Sequence, residues 1–273
     1  MMKKIAKWAF MALVLAFLYA PILILVVYSF TDSTQIGAIR SFSFQNYITL
    51  FTTPELREMI IGTFLLAFGC AAIATLLGSA GAIGAFYSKK RTRNFISALN
   101  QIPVVNADVV SAFSLCIFLV IICGVSKDTF IPLIAGHVML CAPFVYLCVL
   151  PKLRQMDPAT YEAALDLGAT PLSALIRVVI PQIAPAIGSG FMLSVTLSLD
   201  DYFISTYTKP ASFDTISTYV VNATKGSQTQ IKTALWALAA VIFALVVLVV
   251  AVMNIRAGRK HKDMTAGLKA IRR

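Results

Sequence analysis

Long apolar runs separated by short polar stretches set the organisation of this chain. A membrane-spanning helix needs about 20 mostly apolar residues. Six runs meet that length: Trp8–Phe30, Met59–Tyr87, Ile102–Ile122, Phe130–Leu150, Pro185–Ser205 and Ala234–Asn254. The expected fold is an all-α integral membrane protein with six transmembrane helices in a single domain over residues 1–273. Lys3, Lys4 and Lys7 precede the first run, as they would in a secretion leader. That run is longer than a leader's apolar core, and Pro21 follows Ala20 where cleavage would fall, so it reads as a retained span. Phe42, Phe44, Tyr47 and Phe51 offer aromatic rings to a membrane interface. Gly62, Gly69, Gly78, Ala82 and Gly84 suit the second run to close helix packing. Pro103 is expected to loosen the start of the third.

The stretch Asp157–Pro181, between the fourth and fifth runs, has a different pattern. Asp157 is a good N-cap and Pro158 fits the first helical position, where a missing N–H costs nothing. Gly168 supplies the left-handed residue that ends a helix. Thr170-Pro171 repeats the start signal, and Pro181 is expected to limit a second short helix. On the first helix Tyr161, Ala164, Leu165 and Gly168 share a face; on the second Leu172, Leu175, Ile176 and Val179 do. Such a pair is either a lipid-surface element or a docking piece. Glu162 and Asp166, four apart with no basic residue between Asp157 and Gly168, would be repelled by an anionic leaflet. That favours a protein partner.

Composition agrees with a membrane protein: 59% of the residues are hydrophobic and 13% are charged, against about 25% charged in typical soluble domains. The net charge of +11 would suit nucleic acid were it not so unevenly spread. Six spans place both termini on one side. That side carries 17 basic residues: three at the N-terminus, four in Lys89–Arg93, three at Lys152, Arg154 and Arg177, and seven in the tail 256–273. The other side has six. The positive-inside rule then places both termini and the 157–181 loop in the cytoplasm. The tail reads as a solvated anchor, or as an amphipathic lipid-binding helix through Met264, Leu268 and Ile271. The five cysteines lie in or beside apolar runs and show no metal spacing. His137 reads as a hydrogen-bonded bundle residue before a metal ligand.

Three carboxylates fall within the runs. An aspartate at the bilayer centre costs about 2.5–3.5 kcal/mol on insertion scales, so each needs a reason to be there. Asp108 counts to mid-depth, and Asp200 and Asp201 to the outer third of the fifth run. Solvation at the outer surface explains Asp200 as readily as a substrate path does. Ser194, Ser198, Asp201 and Ser205, spaced by four, three and four, would form one helical face beside an aqueous path. Tyr202 and Tyr207 add aromatic faces, which attract alkylammonium groups. The expected path residues are thus Asp201, then Asp200, then Asp108, with Ser194, Ser198, Tyr202 and Tyr207, and the expected substrate is a flexible polycation. A proton relay through Asp108 and Asp201, in a proton-coupled secondary transporter of a cationic solute, is the alternative. No nucleophile–base constellation points to an enzyme.

Glu162-Ala163-Ala164, then three residues, Gly168, nine residues and Val178-x-Ile180-Pro181 resemble the EAA motif of ABC-importer permeases. The family's usual ending is Ile-x-Leu-Pro. Leu197-Ser198-Leu199-Asp200-Asp201 further resembles the spermidine/putrescine subgroup, and the similarity covers most of the chain. The family often has Thr-Leu-Pro where this chain has Thr215-Ile216-Ser217. The resemblance implies a type I ABC-importer permease in a bacterial inner membrane, importing polyamines by alternating access. It implies Glu162, Ala163, Ala164, Gly168 and Pro181 as the coupling residues. Its implied partners are two cytoplasmic ATPase subunits, a second homologous permease and an extracytoplasmic substrate-binding protein. No Gly-x-x-x-x-Gly-Lys-Ser/Thr pattern occurs here. ATP and Mg would therefore be held by the partner ATPase, and no cofactor by this chain.

Overall fold

A computed structural model describes residues 2–31, 41–225 and 234–244. Elements in chain order are α1 (Met2–Ser29), α2 (Gln45–Thr52), α3 (Pro54–Tyr87), α4 (Lys90–Val105), α5 (Asp108–Ile117), α6 (Ile131–Gln155) and α7 (Pro158–Asp166). They are followed by α8 (Pro171–Ala174), α9 (Ile180–Asp200), α10 (Phe203–Thr208), α11 (Ile216–Lys225) and α12 (Ala234–Ala244). Among the described residues the only strand-like pairing is an isolated bridge between Thr31 and Phe42. Among the described residues, four helical stretches are long and apolar enough to cross a membrane: Lys7–Ser29, Pro54–Tyr87, Ile131–Gln155 and Pro171–Asp200. A bent pair makes a fifth. The sixth expected span is described only over Ala234–Ala244, and its remainder and the basic tail lie outside the described residues.

The chain forms two compact units, Met1–Arg57 with Asn222–Arg273, and Glu58–Val221. In the first, Asn46 donates to the Ser29 and Thr31 carbonyls at 3.1 and 3.0 Å, satisfying groups left free where α1 ends. Tyr47 and Ser29 share a 2.8 Å hydrogen bond, and Phe30, Phe42, Phe44 and Tyr47 form one ring cluster. Tyr28 of α1 meets Trp236 of α12 edge-on at 5.6 Å.

The second unit is built on a close crossing of α3, α6 and α9. Val145 of α6 lies between Gly78 of α3 and Gly190 of α9. A Cβ on Gly78 would stand 2.6 Å from the Ala142 carbonyl oxygen and 2.7 Å from Val145 Cβ, and one on Gly190 would stand 3.2 Å from Val145 Cα. Close approach without side chains is what holds apolar helices together in lipid. Gly62 likewise receives the Phe213 ring, whereas Gly69 and Gly84 have no such neighbour within 4 Å, against expectation. Gly78→Ala is expected to cost about 1–3 kcal/mol by overpacking. Gly69→Ala should cost nothing. Thermal denaturation of the purified protein distinguishes them, and equal midpoints would remove the crossing as a stabilising feature.

Three expected boundaries are corrected. The third span is not Ile102–Ile122: α4 runs through Pro103 to Val105, and the chain turns by 107° before Asp108–Ile122. Asn106 sustains this break, donating to Ser111 Oγ at 3.0 Å. Pro181 does not limit its helix. From Leu175 to Val179 the chain makes a π turn, with the Ile180 N–H bonded to the Leu175 carbonyl. The wider turn carries the helix past a residue that has no N–H to donate. The fifth span therefore extends from Pro171 and ends at Asp200, where Pro185–Ser205 was expected.

Candidate functional site

The 157–181 loop folds as its start and stop signals dictate. Asp157 accepts from the Ala159 N–H at 3.0 Å, and Thr170 from the Ser173 N–H at 3.3 Å. Gly168 adopts φ +85°. Its N–H reaches the Leu165 carbonyl at 2.9 Å and the Ala169 N–H reaches the Ala164 carbonyl at 3.1 Å, the paired bonds of a Schellman cap. Tyr161 and Leu175 pack on a core that includes Ala82, Ala85, Val149, Leu153 and Val179, and the Tyr161 ring lies 5.1 Å from Tyr87. Ala164 and Leu165 are half-buried, while Glu162, Ala163 and Asp166 are exposed. Leu167, Leu172 and Ile176 are exposed by 89%, 66% and 53%. One face is thus anchored on the ends of α3 and α6, and the other presents leucines, an isoleucine and two carboxylates.

At the opposite end of α6 and α9 lies a buried polar cluster. The helix breaks at Asp201, whose carboxylate accepts from the Ile204 N–H at 3.2 Å, the Ser205 N–H at 2.8 Å and the Ser205 hydroxyl at 2.9 Å. Asp201 thereby caps α10. His137 of α6 contacts Ser198 Oγ through Nδ1 at 2.9 Å and Ser205 Oγ through Nε2 at 3.1 Å. The break corrects the single helical face expected for Ser194, Ser198, Asp201 and Ser205. All four are buried, and Asp201, only 9% exposed, has its carboxylate committed to hydrogen bonds inside the protein. The Ser194 hydroxyl has no partner within the described residues, while its carbonyl accepts from the Cys141 thiol at 3.4 Å.

Asp200, by contrast, is exposed on the last turn of α9, beside half-buried Tyr202. Asp108 is also exposed, in the first turn of α5 and not within a continuous helix as expected. Among the described residues neither carboxylate has an ion-pair partner. Just before Asp108, the last turns of α4 and Asn106 border an open hollow of about 520 Å³ lined by Ala98, Gln101, Ile102, Val105 and Asn106. Tyr207 packs edge-on against Phe113 of α5 at 5.9 Å, bringing α10 to α5. A second cavity, of about 360 Å³, lies between Gly62, Cys70, Ile134 and Phe213 and has no carboxylate among its lining residues. Among the described residues no group of His, Cys, Asp and Glu has the arrangement of a metal site. The sequence did not single out His137 and Ser205 as partners, because they lie 68 residues apart.

Residues 74–260 match the family described as binding-protein-dependent transport system inner membrane component. The spermidine/putrescine transport system permease protein PotC of Haemophilus influenzae is 34% identical over 241 residues, covering 88% of this chain and 93% of that protein. PotC of Escherichia coli (strain K12) is 29% identical over 270 residues, 98% of this chain and 100% of its own. The putrescine transport system permease protein PotI of the same strain is 30% identical over 227 residues, 81% of each. A chain in the crystal structure of a bacterial ABC transporter for the acidic polysaccharide alginate has the same fold. Its TM-score is 0.70 at 22% identity, covering 93% of this chain and 98% of that one.

Proposed function

The chain belongs to the binding-protein-dependent transport system inner membrane components, and from that premise we propose that it is the polyamine-translocating permease of an ATP-driven importer. The observation that carries the coupling reading is the anchored two-helix knob at one end of the spans, with an outer face of Leu167, Leu172, Ile176, Glu162 and Asp166. Large exposed apolar side chains rimmed by carboxylates are what a basic-rimmed protein cleft binds. The partner is a cytoplasmic ATPase, two copies to the importer, holding ATP and Mg, and this chain holds no cofactor and makes or breaks no bond. Both termini then face the cytoplasm. A second homologous permease and an extracytoplasmic substrate-binding protein complete the assembly. The alginate transporter's solved complex includes a periplasmic protein carrying an alginate pentasaccharide.

Polyamine specificity is supported by the names of the curated relatives and by Asp200 and Asp108, exposed carboxylates on otherwise apolar spans without ion-pair partners among the described residues. The shared fold alone does not select a substrate, since an alginate importer has it too. Asp200, Asp108, Tyr202 and Tyr207 are assigned to the path. Ser198, Ser194 and Asp201 support it from behind. The proton-coupled alternative is not favoured: membership of this family gives the 157–181 loop its purpose, and the Asp201 carboxylate is already taken up by α10.

The test is uptake of radiolabelled spermidine by proteoliposomes containing the full importer and its binding protein. ATP is expected to drive uptake at a rate unchanged by an uncoupler. Uptake that needs a proton gradient and no ATP would overturn the reading.

A further inference from the structure

The buried cluster at the break in the fifth span has a direction. A carboxylate only accepts, so the single Ser205 hydroxyl proton is donated to Asp201 Oδ2 at 2.9 Å. Toward His137 Nε2, at 3.1 Å, Ser205 Oγ must therefore accept, and the imidazole carries its proton on Nε2. In the neutral imidazole Nδ1 is then the acceptor for the Ser198 hydroxyl at 2.9 Å. Ser198, His137, Ser205 and Asp201 form one chain of donors running toward the carboxylate. His137 Nε2 itself stands 3.8 Å from Asp201 Oδ2, beyond a direct hydrogen bond.

This chain spans the break. Ser198 lies on α9 before it and Ser205 on α10 after it, and one fully buried side chain of α6 holds both. At the break itself Asp201 turns inward and Asp200 stays exposed. We propose that His137 is a positioning residue: by bridging Ser198 and Ser205 with a fixed tautomer, it decides which aspartate of the Asp200–Asp201 pair faces outward. This rests on the transport reading only in giving Asp200 a substrate to meet. The clamp itself is a property of the chain.

Two readouts test it on the complete importer. The first needs no substrate: amide hydrogen exchange of the 201–208 segment, followed by mass spectrometry. His137→Leu is expected to speed exchange there about tenfold, as the support for the Asp201 cap is lost. His137→Gln should restore exchange to within about threefold, because a carboxamide also offers both an acceptor oxygen and N–H donors. The second readout is transport. His137→Leu should raise the apparent KM for spermidine about tenfold while leaving maximal uptake within about twofold, because a misaimed carboxylate weakens binding rather than coupling. If His137→Leu fails to insert, Ser205→Ala removes the same link and should give the same exchange change. Nitrogen-15 NMR of histidine-labelled protein, which has His137 and His261 only, should find the His137 proton on Nε2. Unchanged exchange in both variants, Gln no better than Leu, or a proton on Nδ1 would each overturn the clamp. Because exchange is read without substrate, absence of spermidine uptake in the unmutated importer would count against the polyamine reading alone.

Discussion

A Gly168→Val chain is expected to insert in the membrane at normal abundance and still lose ATP-driven uptake by about a hundredfold. Gly168 has φ +85°, a region that costs ordinary residues about 1–2 kcal/mol and β-branched ones more. No neighbouring atom lies within 4 Å of the position a Cβ would take, so the cost is one of backbone and not of volume. Valine should therefore open the Schellman cap, releasing the bonds from Gly168 to Leu165 and from Ala169 to Ala164. Leu167 and Leu172, which flank the turn, would then lose their fixed separation on the docking face. The core under the loop does not include Gly168, so insertion should survive.

The backbone origin of the effect predicts an order. Asparagine tolerates the left-handed region best among non-glycine residues, so Gly168→Asn should retain most function, Gly168→Ala less and Gly168→Val almost none. Glu162→Lys should be worse than Glu162→Gln, because it reverses the charge as well as removing an acceptor. Co-purification of the ATPase and uptake at matched abundance measure both series. A Gly168→Val chain that binds ATPase and transports as well as Gly168→Asn would remove the loop from the coupling path.

The loop was legible in the sequence because its signals are local. Caps, prolines and the left-handed glycine act over three or four residues, and Asp157, Thr170 and Gly168 each occupy the place their chemistry predicts. Pro181 misled for the same reason. A proline in a helix is a stop signal by local rules, and the π turn that bypasses it uses the carbonyl of Leu175. Membrane spans were legible as runs but not at their breaks, since apolar composition does not register a 107° turn at Asn106. Ser194, Ser198, Asp201 and Ser205 kept helical spacing while the backbone between them left the helix. All four are still buried, and for Ser198 and Ser205 the partner is His137, more than 60 residues away in sequence, which periodicity cannot show.

The order of the aspartates in transport follows from what each already touches. Asp108 sits in the first turn of α5, where the helix dipole favours a negative charge, so it is stable without a cation. Asp201 is satisfied by three hydrogen bonds. Asp200 occupies the last turn of α9, where the dipole disfavours a carboxylate, and has no ion-pair partner among the described residues. A cation arriving there relieves that repulsion, which makes Asp200 the carboxylate with most to gain. Asp200→Asn keeps size and most hydrogen bonding while removing the charge. Loss of about 1.5–3 kcal/mol, the range of a hydrogen bond to a charged group, should reduce spermidine uptake about 10- to 150-fold with thermal stability unchanged or raised. Asp201→Asn should do the reverse. Its amide supplies one acceptor oxygen where two are used and turns an N–H toward the Ser205 backbone donor, so stability should fall by about 1–3 kcal/mol. Uptake per folded molecule should then suffer less than in Asp200→Asn. A stable Asp201→Asn importer without uptake, beside an Asp200→Asn importer that transports normally, would put Asp201 back on the path and leave Asp200 a solvated surface charge.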